Sequence, residues 1–231
     1  MTELLQSLIE IDRMVTLSIN GSDSLFLDSV AGIFTSIYIW IPLALAAIFL
    51  ILRNIIPQRL ILVLFMVVLT VLICDQVSSS FCKPFFHRLR PTHDPHLINM
   101  IDTVNGYRGG LYGFFSGYAA NSFGLATLFM WLVRDTWFNV SVGIWAALNS
   151  YIRVYLGVHF LGDIVVGAIF GIIVGTLLYL IYTFLIRKRK VPFRDSVLYT
   201  KTGFLRKDIH SFLSVLSGTY IVILISSCMI W

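Results

Sequence analysis

Apolar blocks of about 20 residues recur along this sequence, and they leave it few ways to fold. As an α-helix, a block of that length crosses a hydrocarbon core of roughly 30 Å. Six blocks stand out, at 29–52, 60–81, 116–133, 137–155, 160–186 and 211–231. Of the 231 residues, 58% are hydrophobic and 13% charged. Soluble domains run near half and a quarter, so this chain has more apolar surface than one small core can bury. The expected fold class is all-α: a polytopic membrane helical bundle of about six transmembrane helices, one integral membrane domain over 1–231.

The region ahead of the first block reads differently. In residues 2–18, Leu4, Leu5, Leu8, Ile11 and Val15 recur at helical spacing, with Glu3, Glu10, Asp12 and Arg13 mostly elsewhere. That pattern suits a helix lying in the membrane interface, followed by a turn at 19–23. The start is acidic and amphipathic rather than basic and then apolar, so no cleavable signal peptide is expected. The three cysteines, Cys74, Cys82 and Cys228, are scattered and suggest neither a disulfide framework nor a zinc site.

The loops carry the charge. The net charge is +5; because the basic residues lie between apolar blocks, a bilayer explains them better than nucleic acid, which is not an expected partner. Two connections are long: 82–115, rich in Pro, Gly, His and Arg, and 187–210, which opens on Arg187-Lys188-Arg189-Lys190. Threading six spans puts Arg53, Arg59, Arg134 and the basic residues of 187–210 on one side. The N-terminus, the 82–115 loop and the 156–159 turn fall on the other. Lys and Arg concentrate on the cytoplasmic side of membrane proteins, so 187–210 is expected in the cytoplasm and 82–115 outside it. No internal repeat is apparent.

Three polar patches fall on the expected outer side, so residues far apart in sequence can form one site. The first, Lys83-Pro84-Phe85-Phe86-His87-Arg88-Leu89-Arg90-Pro91, offers cations to an anion, Arg through planar bidentate hydrogen bonds. Its spacing alone fits a headgroup anchor equally well. The second, Tyr112-Gly113-Phe114-Phe115-Ser116-Gly117-Tyr118-Ala119-Ala120-Asn121-Ser122, opens a span. A helix start has unpaired N–H groups that suit an anion; Ser116 could cap it, and Gly117 would let an anion approach the backbone. An ordinary helix start packed on small residues fits too. The third runs from Arg153 through His159 to Asp163. Four residues apart on one helix face, the carboxylate of Asp163 can accept from His159 Nδ1–H and leave Nε2 free as a nucleophile. A buried pair that only staples the helix is the alternative, but ionisable groups within spans are costly and usually functional.

Together the patches resemble the type 2 phosphatidic acid phosphatase superfamily. Its first motif, Lys, six residues, Arg-Pro, matches Lys83 to Arg90-Pro91. Its third, Arg, five residues, His, three residues, Asp, matches Arg153, His159 and Asp163, with Ile152 where Ser is usual. Its second, Pro-Ser-Gly-His, reads Phe115-Ser116-Gly117-Tyr118 here. The likeness covers about 20–186. It implies a membrane lipid phosphatase without metal or cofactor, in a bacterial inner membrane with its site facing the periplasm. His159 would attack phosphorus and form a phosphohistidine steadied by Asp163. Lys83, Arg90, Arg153 and backbone near Ser116 and Gly117 would bind the phosphoryl oxygens. Candidate substrates are undecaprenyl diphosphate, phosphatidylglycerophosphate, phosphatidic acid and the phosphates of lipid A.

Tyr118 stands where the family has the His that protonates the leaving group, and a phenol with a pKa near 10 is the weaker acid. Three readings follow. Tyr118 serves as a poorer donor; or His87, His93 or His96 substitutes; or the chain is an impaired or non-catalytic lipid-phosphate binder. A phosphotransferase that passes the group to another lipid shares the same motifs. A transporter reading, from intramembrane Asp75 and Asp163, lacks the inverted repeats such proteins carry.

Overall fold

Gly167, Gly171 and Gly175 stand four residues apart in the chain's longest helix, and the bundle is assembled around them. The computed structural model describes residues 2–186 and 197–229. Among them are nine α-helices and no strand, only the isolated bridges Leu89–Tyr112 and Tyr199–Leu205.

Helix α1 (Thr2–Ile19) is followed by α2 (Leu25–Thr35), whose first turn is capped by Ser24 Oγ accepting from Leu27 N–H. The expected first span, 29–52, is not continuous. Ser36 is extended (φ −70°, ψ 131°), and a 3₁₀ turn, Ile37–Trp40, leads into α3 (Ile41–Asn54). Pro42 accounts for the break, since it has no N–H and its ring would meet the carbonyl four residues earlier in an unbroken helix. Helix α4 (Pro57–Gln76) runs through a π-helical segment, Val77–Cys82, into the short α5 (Lys83–Phe86). Helix α6 (Gly117–Val133) is capped by Ser116 and α7 (Thr136–Tyr155) by Asp135. Helices α8 (Leu161–Ile186) and α9 (Arg206–Met229) complete the chain. Of the basic stretch 187–210, residues 187–196 lie outside the described residues, and α9 begins within its end.

Four stretches are long and apolar enough to cross a membrane: Ile37–Asn54, Pro57–Phe86, Leu161–Ile186 and Arg206–Met229. Helix α6 is shorter, at 17 residues, and is the most enclosed, with Ala119, Ala120 and Leu128 fully buried. Outward-facing residues of the long helices, such as Ile61, Ile169 and Phe184, are exposed apolar side chains, as a lipid-facing surface requires.

Small residues set the packing. A Cβ on Gly167 would meet the Ser116 carbonyl, one on Gly171 the Ala120 carbonyl, and one on Gly175 the Gly124 carbonyl. The two backbones therefore touch along a stripe of glycines, the close approach that such spacing permits in membrane helices. The contacts advance together from 116 to 124 and from 167 to 175, so α6 and α8 run parallel. Gly124 packs on Thr70 and Cys74, and Gly117 on Ser78, so α4 runs antiparallel to both. The end of α4–α5, the starts of α6 and α8, and the end of α7 thus meet at one end of the bundle.

The opposite end is tied by its own polar contacts. Asn54 donates to Asp208 (3.0 Å) and accepts from Leu205 N–H (2.6 Å), and Arg206 pairs with Asp135 at 2.6 Å.

Candidate functional site

The turn from α7 to α8 creates the centre of the site. Gly157 takes φ +66°, where a Cβ would also strike Ile101. The chain then doubles back, and the N–H groups of Val158 and His159 both donate to the Arg153 carbonyl (3.1 and 3.3 Å). Arg153 and His159, six apart in sequence, are thereby brought to the same place.

His159 is buried and held from both sides. Arg90 Nη1 lies 3.3 Å from His159 Nε2 and donates to the Val158 carbonyl at 3.1 Å. An arginine can only donate, so Nε2 presents its lone pair and the ring proton sits on Nδ1. That proton faces Asp163 Oδ2 at 3.5 Å, longer than a close hydrogen bond. Burial pushes the imidazole pKa down to about 4, against the pull of Asp163 and with added repulsion from Arg90 and Lys83. The ring is therefore neutral at neutral pH, the form a nucleophile needs.

Asp163 is fully enclosed. Its Oδ2 also accepts from Phe160 N–H (3.1 Å), its Oδ1 accepts from Arg88 at 2.7 Å, and its carbonyl accepts from Ser116 N–H at 3.0 Å. Gly113 leaves room for this arrangement: a Cβ there would lie 2.9 Å from Asp163 Oδ2 and 3.6 Å from His159 Nδ1.

The 82–115 loop brings the cations in. Its two arms are joined by the Leu89–Tyr112 bridge, with Arg90 N–H donating to Leu111 (3.1 Å) and Gly113 N–H to Arg88 (2.8 Å). Side chains two apart on extended chain share a face, and Arg88 and Arg90 both turn to the site. Arg90 Nε donates to the Tyr112 carbonyl (3.2 Å), and burial lowers its pKa from the ordinary arginine value. Lys83 donates to Ser79 at 3.3 Å and lies within Coulombic reach of Arg90 and Asp163.

The second patch divides. Ser116 is committed to structure: its N–H goes to Asp163 and its hydroxyl accepts from Ala119 N–H (3.4 Å). The first-turn donors left for an anion are those of Gly117 and Tyr118. A Cβ on Gly117 would lie 3.3 Å from Ser78 Oγ, so the glycine serves the packing of α6 on the π-helical segment. Arg153 lies over the Tyr118 ring, its guanidinium carbon 3.3 Å from the ring centroid. Arg153 Nε, buried, has no hydrogen-bond partner among the described residues.

Of the alternative histidines, His87 packs on Tyr112 and His93 on Thr92; among the described residues neither they nor His96 bond to His159, Asp163 or Arg153. Sequence reasoning counted Arg88 only among the cations for an anion, and gave no role to Gly113 or Asp12, nor to Tyr107, which lies near Arg153 and Arg90. The i, i+2 relation of Arg88 to Arg90 was the one available signal.

The chain's relatives bear on this geometry. The profile of the PAP2 superfamily matches residues 59–187. The chain is 37% identical over 180 residues to a lipid A 4'-phosphatase of Porphyromonas gingivalis, covering 78% of this chain and 76% of that one. It is 38% identical over 179 residues to a lipid A 4'-phosphatase of Bacteroides thetaiotaomicron, covering 77% and 80%. Its fold is similar to the crystal structure of a transmembrane PAP2-type phosphatidylglycerolphosphate phosphatase from Bacillus subtilis, with a TM-score of 0.54 and 19% identity over 83% of this chain and 90% of that one.

Proposed function

The chain belongs to the PAP2 superfamily and is a bacterial membrane phosphatase; from that premise we propose that it removes a phosphate from lipid A on the periplasmic side of the inner membrane, through a phosphohistidine at His159. The two curated relatives, both named for lipid A, support this substrate over the other lipid phosphates. The concentration of Lys and Arg at 187–210 supports the orientation.

The observation that carries the mechanism is Arg90 Nη1 at 3.3 Å from His159 Nε2. It supports Nε2 as the reactive nitrogen and Arg90 as a ligand of the phosphoryl oxygens. Lys83, Arg90 and Arg153 draw the phosphate to Nε2 and neutralise the charge that grows on its equatorial oxygens, a contribution of several kcal/mol in such sites. Nε2 forms a bond to phosphorus as the bond to the sugar oxygen breaks. Tyr118 gives that oxygen its proton and remains as a phenolate against Arg153. The phosphorylated imidazole, now cationic, is balanced by Asp163. Water then attacks phosphorus, loses its proton to the phenolate, and frees phosphate and neutral His159.

The test uses the purified full chain in mixed micelles, with phosphate release measured from lipid A, phosphatidylglycerophosphate, phosphatidic acid and undecaprenyl diphosphate. The expected result is the highest kcat/KM on lipid A and no turnover by His159→Ala. A clear preference for another lipid refutes the substrate, and a fully active His159→Ala refutes the nucleophile.

A further inference from the structure

The site contains two kinds of arginine. Arg90 and Arg153 have no carboxylate partner among the described residues; Arg90 donates to carbonyls and to His159, and Arg153 lies on a tyrosine ring. Arg88 is different. Its Nη1 donates to Asp163 Oδ1 at 2.7 Å, its Nη2 to Asp12 Oδ2 at 2.6 Å, and its guanidinium carbon sits 4.3 Å from the centre of the Phe160 ring. Both ends of the guanidinium are taken by carboxylates at short range, and they leave the Asp12–Arg88–Asp163 chain one negative charge overall. It is poorly suited to bind an anion and well suited to hold an aspartate.

Asp163 needs such a partner. No part of its side chain is exposed, and an ionised carboxylate buried without a counter-charge is strongly unfavourable. With Oδ1 fixed by Arg88, Oδ2 is left for Phe160 N–H and for the face of His159. Asp12 completes the chain from outside the three sequence patches. It lies on α1, and its second oxygen accepts from Gly162 N–H (2.8 Å) in the first turn of α8. The same polar face of α1 is docked by Arg13 on Asp94 (2.9 Å) and by Thr16, which accepts from Leu161 N–H (3.1 Å). Its other face, with Leu4, Leu8 and Ile11, is exposed and apolar.

We propose that Arg88 is a positioning residue that keeps the Asp163 carboxylate charged and aimed at His159, and that Asp12 of α1 holds Arg88 in place. The amphipathic helix is then part of the catalytic apparatus as well as a membrane-surface element. The proposal rests on the His159 mechanism above.

The test compares the full chain with Arg88→Met, Arg88→Lys and Asp12→Asn in mixed micelles, measuring kcat and KM on lipid A, thermal stability, and the affinity for orthovanadate, an anion that adopts the five-coordinate geometry of phosphoryl transfer. Asp12→Asn removes charge while keeping an acceptor for Gly162 N–H. Arg88→Met is expected to lower kcat on the order of 10²-fold, the cost of about 1 Å of misplacement, with KM nearly unchanged and orthovanadate bound more weakly. Arg88→Lys should restore part of kcat, and Asp12→Asn should lose kcat in the same pattern to a smaller degree. A raised KM with kcat unchanged would make Arg88 a substrate ligand and overturn the proposal, as would wild-type kinetics in Arg88→Met. If Arg88→Met and Arg88→Lys fail to fold, wild-type kcat in Asp12→Asn overturns it. A wild type that releases no phosphate from any lipid would instead refute the function on which the proposal stands.

Discussion

The guanidinium of Arg153 lies over the ring of Tyr118, its central carbon 3.3 Å from the ring centroid. On the proposed mechanism the tyrosine has two separable jobs: its ring packs on a buried arginine, and its hydroxyl would be the donor for the leaving group. Tyr118→Phe keeps the first and removes the second. Its rate of phosphoenzyme formation from lipid A should fall by roughly 10²–10⁴-fold, the usual worth of general acid catalysis, while that from an aryl phosphate with an acidic leaving group stays near the wild-type rate. Tyr118→Ala should lose activity on both substrates. Equal losses on both for Tyr118→Phe would contradict the donor role.

The state of His159 can be read without turnover. Its pKa is pushed down to about 4 by burial, so the neutral nucleophilic ring persists as pH falls and gains its proton only as the pH passes through that value. With ¹³C-labelled histidine, and with His159→Gln to assign the signal, the His159 resonance should titrate near pH 4. A midpoint at the ordinary histidine value of about 6.5 would mean the ring is not enclosed as described.

The glycine stripe of α8 makes a stability prediction. A Cβ at Gly171 would meet the Ala120 carbonyl and lie 2.8 Å from Gly124 N, whereas Gly218 of α9 has open space. Gly171→Ala should cost about 1–3 kcal/mol as overpacking, with a melting midpoint in detergent lowered by roughly 2–4 °C per kcal/mol. Gly218→Ala should leave the midpoint unchanged. Because α6 and α8 both deliver site residues at their starts, Gly171→Ala should also lower kcat.

Orientation is testable with single cysteines in a chain whose Cys74, Cys82 and Cys228 are replaced by serine. A cysteine at exposed Gly110 in the site-side loop should react with an impermeant maleimide applied to spheroplasts. One at exposed Lys201 should react only after the membrane is opened. The reverse pattern would place the site in the cytoplasm.

Much of this was legible in the sequence because the physics is local. Apolar blocks marked most of the helices to within a few residues; the pairing of His159 with Asp163 was also expected, although His159 lies in the turn before α8 and not on its face. What escaped depended on contacts distant in sequence. The break at Ser36 lies inside an apolar run and is marked only by Pro42. That Gly117 also packs on Ser78, 39 positions earlier, could not be read from its own surroundings. Asp12 belongs to an amphipathic helix whose polar residues, read alone, are expected to face water; its partners, Arg88 of the long loop and Gly162 N–H of α8, lie far off in sequence. Tyr118 was visible as a departure from a motif, yet its contact with Arg153 required α7 to pack back along α6.

The claim at the centre is a phosphorus–nitrogen bond at His159. Lipid A carrying ³²P in its phosphate, mixed with the enzyme and quenched in base within one turnover, should leave acid-labile label on the wild-type chain, and peptide mapping should place it at His159. The label should be absent from His159→Asn. Turnover with no labelled protein, or label that persists in His159→Asn, would contradict the mechanism.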